Sequence, residues 1–318
     1  MMFLRAIICL LLFLAALPAA AADFALGLPL DCKLGVDCWV QQYVDHDASA
    51  GVKDYHCGAE TYDGHDGTDI RIRDTSQHVS VVASADGIVK ARRDGVEDHL
   101  VKSSVDIAAV KNVECGNGVV INHAGGWQTQ YCHMRNGSVR VKAGDVVKTG
   151  DILGEVGYSG EAAFPHVHLT VRLNKKAVDP FADAACSTEQ KSLWRTQPTY
   201  DRGDVIRTGF QQGPVELPQL ESGELANEDP KSTWSALVAY VWAINLAAGD
   251  NIKITLRGPN GVVAENTVTL QTNKAQYMSF AGKKQPAGGW PPGVYIGNVV
   301  VMRDGAERLR QDWQTALK

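Results

Sequence analysis

The chain has 318 residues, 45% hydrophobic and 21% charged, with a formal net charge of −5 from 31 basic and 36 acidic side chains. That is length enough for two domains that each bury a core. Neither sign of charge runs on, so the basic footprint of a nucleic-acid-binding protein is missing and no nucleic acid partner is expected.

Residues 1–22 read as a secretory signal peptide: Arg5, an apolar run from Ala6 to Leu17, Pro18, then Ala20-Ala21-Ala22 before Asp23. The run is too short for a confident membrane anchor, and no later segment is apolar enough to span a bilayer. No cysteine stands at the cleavage point to carry a lipid. The mature chain, at a net charge of about −6, is therefore expected in the periplasm or outside the cell. Cleavage leaves Cys32, Cys38, Cys57, Cys115, Cys132 and Cys186. An even set in an exported chain argues for disulfides, although sequence leaves their connectivity open. The favoured set is Cys32–Cys38 around a small loop and Cys115–Cys132 across a hairpin, which leaves Cys57–Cys186. A zinc–thiolate site is the rival reading, but no Cys-x-x-Cys pair supports it.

Residues 23–64 form an irregular, disulfide-containing segment with one short strand near Trp39–Val44. From Asp69 to about Phe181 the pattern is β. Thr68–Arg73 alternates as a half-buried strand does, and Val79–Ala83 and Gly87–Lys90 follow. Val119–Asn122 and Gln128–Tyr131 flank Gly125-Gly126 as a hairpin. The charged stretch Arg93–Glu114 reads as a loop, and glycines punctuate short strands from Ala143 to Gly154. Residues 183–204, polar and carrying Pro198, read as a linker. Residues 205–318 have strands near Trp234–Ile244, Asn251–Leu256, Val262–Leu270, Gln276–Phe280 and Val294–Met302, and Asp304-Gly305 signals a final hairpin. Seven or so short strands there suggest a β-sandwich. The chain is expected to be all-β.

His166 and His168 are two apart on a strand, so both imidazoles project to one face. His65 and Asp69 bracket a Gly-Thr turn, and His133 sits in Tyr131-Cys132-His133-Met134. Either pair alone also fits an ordinary solvated strand or turn; their joint occurrence points to a divalent metal with spare imidazoles beside it. Gly157-Tyr158-Ser159-Gly160-Glu161 misses a serine-hydrolase elbow by its last residue. His123 reads as structural, and His46, His56, His78 and His99 as solvent-facing. Asp179 reads as a brace at a strand's exit, and Trp234, Trp242, Trp290 and Trp313 as core.

The constellation resembles the lysostaphin-type (LytM-like) zinc endopeptidases over residues 60–182. Supporting blocks are Ala85–Val89, Asn117–His123, Gly144–Gly150, Gly157–Gly160 and Val178–Pro180. The resemblance implies a compact antiparallel β-sheet metallopeptidase domain of the duplicated-hybrid-motif type at residues 65–182. It implies Zn2+ on His65, Asp69 and His168, catalytic histidines at His133 and His166, and the peptide portion of peptidoglycan as substrate. Glu161–Pro165 departs from the small residues usual before the His-x-His, and the Arg93–Glu114 insertion and extra cysteines also lie outside the pattern. Latent relatives insert a ligand from an N-terminal segment, for which Asp45, His46 and Asp47 are conceivable here. The rival expectations are a non-catalytic wall-binding or regulatory protein on the same fold, and a zinc endopeptidase acting on exported proteins. The C-terminal sandwich is left to dock on the wall, bind a regulator or restrict access.

Overall fold

A computed structural model describes residues 24–187, 191–225 and 228–318, so the leader expected at residues 1–22 lies outside the described residues. The first half supplies ten strands. They are β1 (Cys38–Gln42), β2 (Thr68–Ile72), β3 (Ser80–Val82), β4 (Gly87–Arg93) and β5 (Asn117–Asn122), then β6 (Trp127–Met134), β7 (Val146–Val147), β8 (Ile152–Glu155), β9 (His166–Leu173) and β10 (Lys176–Val178). β1, β2, β9, β6, β5, β4 and β7 lie side by side in that order, β10 folds back on β9, and β3 pairs with β8 apart from the main sheet. Every pairing is antiparallel.

The alternation in β2 predicts one solvated face, yet all five of its residues are buried. Ile70 and Ile72 enter the main core with Val119, Ile121, Tyr131, Val167, Leu169 and Val171. Asp69 and Arg71 on the other face are covered as well. That face is packed over by loops and by the second half of the chain.

The disulfides formed are Cys32–Cys38, Cys57–Cys186 and Cys115–Cys132, the favoured set. The Arg93–Glu114 insertion departs from the loop expectation, because it contains a helix, α1 (Ser104–Ala109). Ser103 caps it by accepting from the Asp106 backbone N–H. A Ser-x-x-Asp signal was readable there. Six residues with nothing buried left no apolar stripe to reinforce it. The described part of residues 183–204 also packs on the first core. Trp194 is buried there, the Leu26 N–H donates to the Leu193 carbonyl, and the Tyr200 hydroxyl donates to Asp54.

The second half forms β11 (Asp204–Gln211), α2 (Leu217–Glu221), β12 (Ala236–Leu246), β13 (Asn251–Gly258), β14 (Gly261–Thr269), β15 (Lys274–Lys284), β16 (Gly293–Arg303) and β17 (Ala306–Leu317). A three-stranded sheet, β11-β12-β15, faces a four-stranded one, β14-β13-β16-β17. Asp304 and Gly305 both take positive φ, 52° and 79°, as a tight hairpin turn demands. Val241, Ala243, Ile252, Ile254, Val299 and Val301 fill the space between the sheets. On the other face of β12, Tyr240, Trp242 and Ile244 pack with Trp39 of β1 and with Ile206 and Leu220. Polar ties accompany this contact: Trp39 Nε1 to Asp204 (2.9 Å), Asn245 Nδ2 to the Gln41 carbonyl (2.8 Å) and Gln41 Nε2 to the Ala275 carbonyl (3.3 Å).

Glu60 lines a cavity at this junction together with Arg303 and Lys274. Burial, with Asp54 nearby, pushes its carboxyl up to about 8, and burial pushes Asp201 up to about 6. The unfolded Glu60 carboxyl ionises near 4.5 while the folded one keeps its proton, so this contribution is present in acid and lost as pH rises toward 8. Glu60→Gln should therefore stabilise the fold by about 2 kcal/mol at pH 8, after allowance for solvent screening, and by little at pH 4.5. Urea unfolding at the two pH values checks this.

Candidate metal centre

The register of β2 on β9 sets the site: Asp69 lies opposite His168 and Arg71 opposite His166. Residues opposite one another across an antiparallel pair share a face, so all four project together. His65 arrives from the turn before β2, which closes against His168 because Gly67 has no side chain. A Cβ there would stand 2.5 Å from His168 Nε2 and 2.8 Å from the Leu169 carbonyl. His133 comes from the end of β6, where a positive φ of 61° turns its ring toward the others. Its N–H donates to the Cys115 carbonyl (2.8 Å), and its carbonyl accepts from Gly157 (3.0 Å).

Three acceptor atoms meet at the centre. His65 Nε2 is 3.2 Å from Asp69 Oδ1 and 3.1 Å from His168 Nδ1, and His168 Nδ1 is 2.9 Å from Asp69 Oδ1. The opposite edge of each ring fixes its proton. His65 Nδ1 donates to the Tyr43 carbonyl (2.6 Å), so its Nε2 holds a lone pair. His168 Nε2 faces Asp66 (3.2 Å) and Thr170 Oγ1 (3.0 Å), which leaves Nδ1 as the inner atom. Two nitrogen lone pairs and a carboxylate oxygen then point at one spot, and only a cation relieves their repulsion. Burial lowers the His168 pKa, yet Asp66 and Asp69 hold it at about 9, so without a metal a proton takes that place. The donor set, two imidazoles and a carboxylate with a carboxylate behind one ring, fits a divalent metal. Burial also pushes the Asp69 carboxyl up, but His65 and His166 outweigh it and keep it well below the usual range.

Two further imidazoles border this group. His133 Nδ1 donates to the Ser159 carbonyl (2.8 Å) and His166 Nδ1 to the Phe164 carbonyl (2.7 Å), so both leave Nε2 unprotonated. Their ring centroids are 4.6 Å apart, and His166 Nε2 lies 3.6 Å from Asp69 Oδ1. Burial, reinforced by His166 and His168, lowers the His133 pKa well below its ordinary value; burial lowers that of His166 too. Both are neutral bases at pH 7.

All five residues singled out in the sequence converge here. Asp45 and His46 do not join them: Asp45 accepts from the backbone N–H groups of Asp47, Lys53 and Gly64, and His46 Nε2 faces Asp179 at 2.7 Å. Asp179 also accepts from the Phe181 N–H, bracing the exit of β10. His123 is structural, bridging the Asp86 carbonyl and Thr129, while exposed His78 and His99 pair with Glu155 and Asp106. Sequence reasoning missed Asp66, although it adjoins His65, and Tyr62, whose ring lies 4.3 Å from that of His65. The carbonyls of Tyr43, Ser159 and Phe164 carry no signal in a sequence at all.

Residues 63–180 match the sequence profile described as peptidase family M23. This segment is similar to that family. M23 peptidases are metallopeptidases, in keeping with the His65–Asp69–His168 group. Over 115 residues, 36% of this chain, it is 32% identical to DD-carboxypeptidase/endopeptidase Mpg of Neisseria meningitidis serogroup B, covering 22% of that protein. It is 30% identical to peptidoglycan DD-endopeptidase ShyB of Vibrio cholerae over 93 residues, 27% of this chain and 21% of that one. The chain thus spans about a fifth of the length of these curated relatives. Among solved structures, the catalytic domain of lysostaphin from Staphylococcus simulans is 23% identical, with 44% of this chain and 85% of that one covered and a TM-score of 0.28.

Removing a donor should abolish tight metal binding, whereas disturbing the carboxylate behind His168 should only weaken it. His65→Ala is expected to lose stoichiometric metal, and Asp66→Asn to bind about 10- to 100-fold more weakly. Competition against a chromogenic chelator measures both.

Proposed function

We propose that this chain is an exported zinc-dependent endopeptidase that hydrolyses peptide bonds of peptidoglycan, with residues 65–182 as its catalytic unit and 205–318 as an accessory sandwich. The observation that carries the reading is the meeting of three metal-binding atoms, His65 Nε2, Asp69 Oδ1 and His168 Nδ1, beside two imidazoles whose Nε2 atoms are proton-free. Nitrogen and carboxylate donors in a group of three suit Zn2+ with one position left for water or substrate. When bound, the metal lowers the pKa of a water and polarises a scissile carbonyl.

The chain's own groups supply the proton traffic. His133 and His166 present Nε2 as bases, able to take a proton from the attacking water and to return it to the leaving amine. Once protonated, either becomes a donor toward the developing oxyanion. Backbone carbonyls hold both rings, so little ordering is left to the moment of reaction. The names of the relatives, a DD-carboxypeptidase/endopeptidase and a peptidoglycan DD-endopeptidase, favour a wall peptide as substrate. Three disulfides and the N-terminal leader pattern favour an extracytoplasmic site.

Digestion of purified peptidoglycan by the mature protein should release new peptide-bond cleavage products, seen by mass spectrometry, and His168→Ala should release none. A zinc-loaded protein that leaves peptidoglycan intact would sink the substrate assignment. His133→Ala should keep its metal and lose turnover by about 10²- to 10⁴-fold; near-full turnover would remove His133 from the mechanism. The Cys115–Cys132 bond holds the backbone on which His133 hangs. Replacing both cysteines by serine should lower kcat by roughly 10-fold or more with metal content unchanged, through misplacement of that ring.

A further inference from the structure

Arg71, opposite His166, is fully buried in the face that holds the metal-site residues. Among the described residues no carboxylate bonds it directly. Its Nη1 donates to Gln41 Oε1 (2.7 Å), its Nε to the Ile72 carbonyl (3.1 Å) and its Nη2 to the Arg73 carbonyl (3.2 Å). It also lies over two aromatic rings, with Cζ 5.0 Å from the centroid of Phe164 and 5.1 Å from that of Trp242. Phe164 belongs to the loop before β9, and Trp242 to β12 of the sandwich.

The stack continues inward. The Phe164 ring lies 4.5 Å from that of His166, and the Phe164 carbonyl is the acceptor for His166 Nδ1. Next to it, the Pro165 carbonyl accepts from the Ile72 N–H (3.1 Å). Trp242, Arg71, Phe164 and His166 thus form one continuous contact from the sandwich to the site. A buried cation without a directly bonded carboxylate is costly, and an apolar side chain would fill this space more cheaply. What Arg71 gains comes from three acceptors and two ring faces, with the nearby carboxylates of Glu221 and Asp74 favouring its charge without bonding it. Two of those partners depend on the sandwich: Trp242 directly, and Gln41 through its bonds to Ala275 and Asn245.

We propose that Arg71 is a positioning residue for His166, and that the docked sandwich, through Trp242, is part of what holds that imidazole with its Nε2 free. The kinetic side of this proposal rests on the peptidase reading above; the structural side does not. The test uses full-length, zinc-loaded protein as Trp242→Ala, Trp242→Phe and Arg71→Lys. Imidazole 15N shifts, with His166 assigned by comparison with His166→Ala, report the tautomer. Peptidoglycan digestion reports kcat and KM, and chelator titration reports metal.

Trp242→Ala and Arg71→Lys should shift His166 toward a mixture of tautomers and lower kcat about 10-fold, with KM and metal stoichiometry unchanged. Trp242→Phe, which keeps a ring face, should restore most of both signals. Should Trp242→Ala fail to fold, Trp242→Leu fills most of the volume without a π face and asks the same question. Wild-type tautomer and kcat in Trp242→Leu or Trp242→Ala would overturn the proposal. A wild-type protein inert on peptidoglycan, in which Trp242→Ala still moves the His166 shifts, would remove the substrate assignment and leave the positioning role standing.

Discussion

The site depends on the register of β2 against β9, and the apolar core enforces that register. Ile70 lies opposite Val167 and Thr68 opposite Leu169, while Asp69 and Arg71 alternate with them to face His168 and His166. Ile70, Ile72, Val167 and Leu169 are fully buried. A slip of one residue would turn Asp69 and Arg71 into that core and send the isoleucines toward the histidines. The hydrophobic face therefore decides where the metal donors stand. β6 adds its own constraint, since Cys132 lies opposite His168 and His133 follows it into the site.

Burying four imidazoles and a carboxylate carries a cost that the surrounding backbone offsets. Three of the rings give Nδ1–H to a main-chain carbonyl: Tyr43, Ser159 or Phe164. Each such bond contributes about 0.5–1.5 kcal/mol net, whereas an unmet buried donor would cost about 1–3 kcal/mol. The bonds also choose the tautomer, and so turn every free nitrogen the same way. Only His168 is oriented by side chains, Asp66 and Thr170. Tyr43 belongs to the irregular N-terminal segment, itself tied down by the Cys57–Cys186 bond and by Tyr43 packing on Tyr55, Phe181 and Tyr200. That segment is a working part of the site.

What could be read in the sequence was what local pattern encodes. His166 and His168 share a face because strands alternate, and His65 and Asp69 meet across a turn that only Gly67 lets close. The sandwich strands and the Asp304-Gly305 turn follow from the same short-range rules. Arg71 was hidden for the opposite reason. In Thr68-Asp69-Ile70-Arg71-Ile72-Arg73 it reads as a solvated position, and nothing nearby announces that Trp242 will cover it. Residues 183–204 read as a linker because polar composition dominates there, yet Trp194 and Tyr200 dock it. Helix α1 was carried by one cap, Ser103, too slight to outweigh a charged stretch.

The two halves need each other for a reason visible in β12 alone. Val241 and Ala243 point into the sandwich, whereas Tyr240, Trp242 and Ile244 point out of it. A strand with a single buried face would carry polar residues at those outward positions. Detached from the first sheet, the sandwich would expose a tryptophan, a tyrosine and an isoleucine in one patch, with Ile206 and Leu220 beside them. Detached from the sandwich, the first sheet would expose Trp39 and leave Arg71 without the Trp242 ring against it. The outward row of β12 thus serves two ends at once. It completes the hydrophobic contact that joins the halves, and it closes the far side of the stack that ends on His166.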